Sequence, residues 1–421
     1  MKYWGRWLKR IWRRGNDLKL NIANSTSVFM IDKQEVVFPY KAIDYYYFYI
    51  IGIMSLGMFI PDIRIGVIAS IIILFLMIKY LRKVSLFKNY IDVLVLVYIV
   101  YNTISFLWFI FSGLPISVFI REYSNSILPM FFYYFAKIDD KKNKNFYTVT
   151  LKAILLCFVI GIILFLQQPY YYRAYLDSLD GVGTNIISTT DSFRSLVGLT
   201  MTGSLGVVGV VISFSEIIES NGRKGKLALT ICMIAVALTF RRSALFVALV
   251  TFFVFHYFGY IKYNLLRKRY LLVEIVVLFL IILYLNENFG DLLLMLNERI
   301  KMLSEAVDER SGSWVDGLMY GNLIIGSGLG VFGHKAVEFS NKYVPDGNYV
   351  RMLAELGVIG TSIFMSIMIG TFVKGLKNLR IHVLELGIIF GLCLQAVGSD
   401  IFSFQLIVPV LWYSVGRVNS N

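Results

Sequence analysis

The chain has 421 residues, of which 57% are hydrophobic and only 16% are charged, and its formal net charge is +14. Soluble globular proteins have about 25% charged residues, so the composition excludes that class. Several apolar runs approach or reach the roughly 18 to 20 residues that cross a hydrocarbon layer about 30 Å thick. Because these runs are continuous rather than alternating, the sequence predicts an all-α integral membrane protein.

The N-terminal arm, residues 1–44, is basic and aromatic. Its first 20 residues place Trp4, Trp7 and Trp12 on one helical face and lysines and arginines around the rest. This pattern predicts an amphipathic helix on an anionic membrane surface, on the cytoplasmic side. It is not typical of a signal peptide, because no apolar core follows until about Tyr45. Nucleic-acid binding is the rival interpretation of such an arm, and we do not expect it on a polytopic protein.

Twelve membrane spans are predicted from the apolar runs. They lie near residues 45–60, 65–80, 91–112, 114–136, 147–166, 196–216, 226–241, 243–261, 270–286, 356–373, 381–397 and 402–416. The chain thus divides into the arm, spans one to nine (45–286), an outer loop domain (287–355), and spans ten to twelve with a short tail (356–421). The short basic connections all fall on the side of both termini, which the positive-inside rule assigns to the cytoplasm.

Arg241 and Arg242 interrupt an apolar run from Lys226 to Ile261. A single helix of that length would be about 54 Å long at 1.5 Å per residue, well beyond the bilayer. Two spans joined at the arginines keep the basic loops on one side. The sequence therefore predicts a turn at the outer face at this point.

Arginine exceeds lysine among the basic residues that this topology places outside or within the membrane. The set is Arg64, Arg121, Arg173, Arg194, Arg241, Arg242, Arg299, Arg310 and Arg351 against Lys301, Lys335 and Lys342. Arginine is preferred where a planar, bidentate donor meets phosphate or carboxylate. An anion-binding cavity that opens outward is one interpretation, and its ligand would be a lipid-linked phosphate or diphosphate, or a soluble anion moved by a transporter.

Arg121 lies about two turns inside the fourth predicted span, beside Glu122. A charge at that depth costs roughly 2.5 to 3.5 kcal/mol on insertion scales, so it should meet a partner or a wet cavity. Two interpretations stay open: a structural contact of Arg121 with Glu122 or with a carbonyl group, and a ligand of the anion-binding cavity.

The sequence predicts no metal and no cofactor. The cysteines Cys157, Cys232 and Cys393 fall inside predicted spans without ligand spacing, and the three histidines are dispersed. The outer loop contains a GxGxxG pattern between Gly326 and Gly333, but no strand precedes it, so a dinucleotide site is not expected.

Five motifs in chain order resemble the O-antigen and capsular-polysaccharide polymerase family and the related O-antigen ligases. They are FRSLVG (193–198), TFRRS (239–243), ERSGSW (309–314), GSGLGVFG (326–333) and DGNYVRMLAELGVIG (346–360). The resemblance implies a GT-C-like glycosyltransferase that joins undecaprenyl-diphosphate-linked repeat units at the periplasmic face of the bacterial inner membrane. It implies no metal and no nucleotide sugar, and it implies a chain-length regulator as a partner.

By position in these motifs, Arg194, Arg241 and Arg242 are the leading ligands of the diphosphate. Arg310 and Arg121 are secondary candidates. Preorganised arginines would stabilise the charge that develops on the leaving group. The proton of the acceptor hydroxyl needs a base, for which the candidates are Asp346, His334 and Glu355 in that order.

The chain departs from the family at Asp346-Gly347-Asn348, where ligases and many polymerases have a His-Asn pair. This departure disfavours a ligase. Asp346 could equally be the N-cap of a helix that starts near Tyr349. A lipid-linked oligosaccharide flippase is the remaining alternative, because twelve spans suit a transporter, although the sequence has no paired halves.

Overall fold

The computed structural model describes residues 45–46, 48–49, 51–52, 88–138, 144–174, 193, 195–220, 223–239, 242–263, 312, 314–315, 317–319, 321–340, 344 and 347–420. All of them belong to one compact unit, Ile43–Asn421. The secondary structure of these residues is helical, and none of them is in a β-strand. The predicted all-α class is therefore confirmed for the described part of the chain.

Eleven α-helices have defined ends in the described part of the chain, and residues 170–174 are also helical. In chain order they are α1 (Tyr90–Ile104), α2 (Phe106–Ile110), α3 (Ile116–Ser126), α4 (Phe132–Ile138), α5 (Asn145–Gln167), α6 (Leu199–Ser220), α7 (Arg223–Leu238), α8 (Arg242–Tyr263), α9 (Asn348–Lys377), α10 (Leu379–Gln395) and α11 (Val408–Asn419).

Four of the described helical segments are long and apolar enough to cross a membrane. They are Tyr90–Ile110, Asn145–Gln167, Met201–Glu219 and Asn348–Lys377. On α1 the solvent-accessible side is apolar, with Val93, Leu96, Val97, Val100 and Ile104 all more than a third exposed. Such a stripe is stable against lipid and not against water, which supports a protein embedded in a membrane.

The apolar run around the paired arginines is divided as predicted. Helix α7 ends at Leu238 and α8 begins at Arg242. Helix α9 begins at Asn348, inside the range that the sequence assigned to the outer loop, and it has a kink at Gly357 (φ 65°, ψ −174°). The amides of Val358 and Ile359 next to this kink bind the carbonyls of Leu323 and Ile324. The loop thereby satisfies backbone groups that the kink releases.

One of the predicted spans is interrupted, and another begins later than predicted. Residues 116–138 form α3, a 3-10 turn at Leu128–Phe131 and α4, with Pro129 at the break. After α10 ends at Gln395, helix α11 begins only at Val408. The non-helical segment 396–407 between them is largely buried, including Ile401 and Leu406. Irregular backbone at membrane depth is tolerated where protein or a cavity surrounds it.

Helix α6 lies at the centre of the helical packing. It contacts α5, α7, α8 and α10, and 72% of its apolar window is buried. A Cβ atom built on Gly206 would lie 2.1 Å from Cγ2 of Val236, so the absence of a side chain lets α6 and α7 approach closely.

Polar contacts bring several helix ends together at one end of the bundle. Asn89, at the start of α1, donates to the carbonyl of Asn419 at the end of α11. Asn419 also donates to Thr371 near the end of α9. At the same end, Lys137 of α4 forms a buried ion pair with Asp92 of α1. We call this the basic end.

Candidate functional site

A single buried arginine organises the opposite end of the bundle. Arg351 lies in the first turn of α9 and is 3% exposed. Its Nε donates to Oε1 of Glu355 at 2.9 Å, and its Nη2 lies 2.8 Å from Oε1 of Glu122. Its Nη1 donates to Oδ2 of Asp400 and, at 2.7 Å, to Oγ of Ser403. Each of the three guanidinium nitrogens therefore has a polar neighbour. A lysine has a single side-chain nitrogen and lacks this planar arrangement of donors.

The three carboxylates of this cluster come from three parts of the chain. Glu122 belongs to α3, Glu355 follows Arg351 by one turn of α9, and Asp400 belongs to the segment between α10 and α11. Ser403 links two of these parts, because its hydroxyl donates to Oε1 of Glu122. Each carboxylate is almost fully buried, so the cation at their centre is necessary for the packing of α3, α9 and segment 396–407.

Asn348 fixes the position of Asp400. Its Nδ2 donates to Oδ1 of Asp400 at 2.5 Å. Its Oδ1 accepts from the amides of Ile401 and Phe402, at 2.5 and 2.9 Å, and its own amide donates to the carbonyl of Ala396. The first residue of α9 thus binds both sides of the turn that carries Asp400.

The glycine-rich motif wraps around the cluster. Gly326, Gly328 and Gly330 all have positive φ values, between 83° and 105°. The amide of Phe332 donates to Oε1 of Glu355 at 3.1 Å. A Cβ atom built on Gly333 would lie 2.3 Å from Nη2 of Arg351. Positive φ values explain the first three glycines, and close approach to the Arg351 guanidinium explains Gly333.

Two cavities adjoin Arg351. The larger has a volume of about 320 Å³ and is bordered by Glu122, His334, Lys335, Arg351 and Asp400, with Met201 from α6. A smaller one of about 50 Å³ lies among α1, α3, α9 and α11, beside Glu122, Arg351 and Glu355. The larger cavity therefore combines cationic and anionic groups near a half-exposed histidine.

The structure describes three of the eight predicted site residues with their side chains. His334 borders the larger cavity, is 47% exposed, and its Nε2 lies 3.8 Å from Oδ2 of Asp400. Glu355 is buried in the cluster and borders the smaller cavity. Arg242 begins α8 but its side chain is outside the described residues. The other predicted residues outside the described part are Arg194, Arg241, Arg310 and Asp346.

Arg121 does not pair with its neighbour Glu122, whose carboxylate contacts Arg351 instead. Adjacent residues on a helix point about 100° apart, so their side chains face different neighbours. The Nε of Arg121 is buried and has no hydrogen-bond partner among the described residues. The interpretation from sequence in which Arg121 contacts Glu122 is therefore wrong.

Helix α9 begins at Asn348, and Gly347 is at its N-cap position. Asp346, for which a capping role was considered, lies outside the described residues. Gly347 has a φ of 124°, and a Cβ atom on it would lie 3.1 Å from the ring of Trp314.

Residues next to the predicted arginines contact each other and the segment that carries Asp400. The amide of Phe193, which precedes Arg194, donates to the carbonyl of Leu238 at 3.1 Å. Ser243, which follows Arg242, lies beside Gly398: a Cβ on that glycine would be 3.9 Å from Cβ of Ser243. Gly398 precedes Asp400 by two residues, so the start of α8 adjoins the segment that carries this carboxylate.

The sequence reasoning missed the central cluster. Arg351 appeared only as one of the outer arginines, Asn348 only in the departure from the His-Asn pair, and Asp400 and Ser403 were not singled out. Two signals were available: the i,i+4 spacing of Arg351 and Glu355, and an aspartate between two apolar runs.

Comparison with known proteins does not assign the chain to a family. No protein family matches the sequence, and no curated protein matches it.

Proposed function

We propose that this protein is a surface-polysaccharide polymerase that joins lipid-diphosphate-linked oligosaccharide repeat units. The observation that carries the proposal is the convergence of the motifs on which the resemblance rests. Described residues of GSGLGVFG and DGNYVRMLAELGVIG lie around one buried cluster, at the end of the bundle opposite the basic end. Described residues of the other three motifs contact residues of, or next to, another motif or the segment that carries Asp400. Chance matches to unrelated motifs would not be expected to lie close together in the fold.

The contacts between motifs support this convergence. GSGLGVFG surrounds Arg351 and Glu355 of the motif DGNYVRMLAELGVIG. Trp314 of ERSGSW packs on Gly347 of the same motif. FRSLVG contacts the residue before TFRRS through the bond from Phe193 to Leu238. Met201, three residues after FRSLVG, borders the larger cavity.

The reaction would take place in the larger cavity. The oxygen of an acceptor hydroxyl attacks the anomeric carbon of the donor sugar, the bond from that carbon to the diphosphate oxygen breaks, and the electron pair leaves with the lipid diphosphate. Arg194, Arg241 and Arg242 would bind the departing anion, with Arg310 and Arg121 as secondary ligands. Fixed cations need no reorganisation as the charge develops, which is the source of their contribution.

A base must accept the proton of the acceptor hydroxyl. Among the candidates, His334 borders the cavity, and the carboxylate of Asp400 beside its Nε2 would stabilise the imidazolium. Glu355 is held by Arg351 and by the Phe332 amide and is less accessible. Asp346 remains the first candidate from the motif.

The proposal includes the finer topology. Twelve spans in a GT-C-like arrangement would place both termini in the cytoplasm and the larger cavity at the periplasmic face of a bacterial inner membrane. The buried side chains of Lys137 and Arg417 would then lie near the cytoplasm, in agreement with the positive-inside rule.

A transporter of lipid-linked oligosaccharides is the second candidate, favoured by the interrupted span and the non-helical segment before α11. Discontinuous helices next to a cavity are typical of carriers, in which the free helix ends bind the cargo or a coupling ion. Both α3–α4 and the segment before α11 have this character.

Deletion of the gene in its own organism, followed by a gel of the surface polysaccharide, separates these functions. Loss of a polymerase leaves single repeat units on the lipid core, whereas loss of a flippase or a ligase leaves none. Complementation with Arg241→Lys or Arg242→Lys should restore insertion but not long chains. Arg173→Lys, an exposed arginine outside the motifs, is the matched control and should restore normal chain length. Normal chain length with both variants would contradict the diphosphate assignment.

A further inference from the structure

Residues 322–325, which we call the loop tip, expose three neighbouring apolar side chains. Leu323 is 49% exposed, Ile324 is 67% exposed, and Ile325 is more than a third exposed. The polymerase chemistry uses none of them, because the glycine-rich motif begins only at Gly326. An exposed group of large apolar side chains marks a surface that contacts another molecule or a membrane.

Backbone groups of the loop tip bind other protein groups instead of water. The carbonyls of Leu323 and Ile324 accept the two amides beside the α9 kink. The amides of Ile324 and Ile325 donate to Oδ1 of Asn322, at 3.0 and 3.3 Å. An exposed loop in water has no need of such internal partners, whereas backbone against lipid must find its partners within the protein.

The carbonyl of Ile325 connects the loop tip to a candidate membrane span. It accepts from the hydroxyl of Tyr101 at 2.8 Å and from Nε1 of Trp108 at 3.0 Å. Both aromatic residues belong to the span Tyr90–Ile110, and Trp108 is close to its end. Tryptophan and tyrosine are enriched where acyl chains meet headgroups. These bonds therefore place the loop tip at the level of a membrane surface.

The apolar surface of the loop tip is continuous with the surfaces of two candidate spans. Val358 and Ile359, whose amides bind the loop tip, are more than a third exposed and belong to Asn348–Lys377. Leu107, next to Trp108, is also more than a third exposed. The loop tip thus extends a surface that already faces lipid.

The sequence around the loop tip carries no formal charge. Residues 317–333 contain no Asp, Glu, Lys or Arg. At the charged fraction of soluble proteins, about 25%, a loop of this length would contain about four such residues. Their absence removes the largest cost of placing the loop against lipid.

We propose that the loop tip inserts into the lipid bilayer at the end of the bundle that contains Arg351, with Leu323 and Ile324 among the acyl chains. Asn322 has an exposed polar side chain, so the insertion is shallow, about 5 to 10 Å into the boundary of headgroups and acyl chains, as for interfacial helices. Lipid is favoured over a second protein because the spans on which the loop tip packs present apolar surface to the membrane. A polymerase and a carrier would both accommodate this insertion, so the proposal does not rest on the proposed function.

Fluorescence quenching of the full-length protein in lipid nanodiscs tests the insertion. Ile324→Cys is labelled with the thiol-reactive dye nitrobenzoxadiazole, and the unsubstituted protein treated in the same way gives the background of the native cysteines. One quencher is a nitroxide on a phospholipid acyl chain, and the other is iodide, which reaches both faces of a nanodisc. We expect strong quenching by the nitroxide lipid and several-fold weaker quenching by iodide than at an aqueous site. A nitroxide near the headgroup should quench more than one near the end of the chain, because the insertion is shallow.

Matched variants give the two reference values. Glu338→Cys is in the same loop at an exposed charged residue, and iodide should quench its dye. Ile369→Cys is exposed within a candidate span, and only the nitroxide lipid should quench its dye. Leu323→Cys repeats the measurement at the loop tip and decides the question if Ile324→Cys does not fold. Iodide quenching at the loop tip as strong as at residue 338 would place it in water and overturn the proposal. Protection from both quenchers would mean that protein covers the loop tip, and it would overturn the proposal as well.

Discussion

Replacement of Arg351 by methionine is the most direct test of the buried cluster. The side chain is 3% exposed and is the only cation in contact with Glu122 and Glu355 among the described residues. Methionine has a similar length and no charge, so the variant leaves three buried carboxylates without their partner. Breaking a buried ion pair in this way costs about 3 to 5 kcal/mol.

This loss should be visible as a fall in the unfolding temperature. With roughly 2 to 4 °C per kcal/mol for medium-sized domains, the midpoint should decrease by about 6 to 20 °C. Scanning fluorimetry of the detergent-purified protein measures it. Lys144→Met is the control, because Lys144 pairs with Glu219 at the surface, where both side chains are more than a third exposed. An exposed pair contributes about 0 to 1 kcal/mol, so that variant should unfold near the wild-type temperature.

A compensated variant tests the cause of the effect. Arg351→Met combined with Glu122→Gln, Glu355→Gln and Asp400→Asn contains no unbalanced charge in the cluster. It should unfold at a higher temperature than Arg351→Met alone, because the penalty comes from buried charge and not from lost volume. If Arg351→Met unfolds within 1 °C of the wild type, or if the compensated variant is no more stable, the electrostatic account is refuted.

Two further predictions concern the residues around the cluster. Gly326→Ala should lower the free energy of unfolding by about 1 to 3 kcal/mol, because its Cβ would lie 2.1 Å from the Glu355 carbonyl oxygen, whereas Gly312→Ala meets no atom within 4 Å and should be neutral in the same thermal assay. Asn348→Asp should destabilise by about 1 to 3 kcal/mol, since it replaces the amide donor to Asp400 with a second carboxylate. Addition of Asp400→Asn should recover part of that loss by restoring a donor, and no recovery would contradict this reason.

The helical class and several span boundaries could be predicted from the sequence because they depend on apolar length alone. Helix α5 (Asn145–Gln167) and the division between α7 and α8 agree with the predicted limits to within a few residues. Hydropathy does not register hydrogen bonds, so it gave a continuous fourth span although the helix breaks near Pro129. The same reason explains why a span was predicted at 402–416, where helix α11 begins only at Val408.

The central cluster was harder to predict because its members are distant in the chain. Glu122 and Asp400 are separated by hundreds of residues, and only the folded arrangement shows that both contact Arg351. The adjacent Arg121 and Glu122 drew attention as a pair, although helix geometry turns them in different directions. By contrast, the glycine-rich loop was found from sequence, but its close approach to Arg351 is visible only in the folded protein.

The contacts at the basic end bear on the choice between an enzyme and a carrier. Asp92 is fully buried against Lys137, and Asn419 joins Asn89 to Thr371, so α1, α4, α9 and α11 are linked there. A carrier must open its site to each face in turn, and these linked helices would have to separate in one of its states, at the cost of a buried ion pair. A polymerase that takes both substrates from one face needs no such opening. The linked end therefore agrees with the proposal of an enzyme whose substrates bind at the end that contains Arg351.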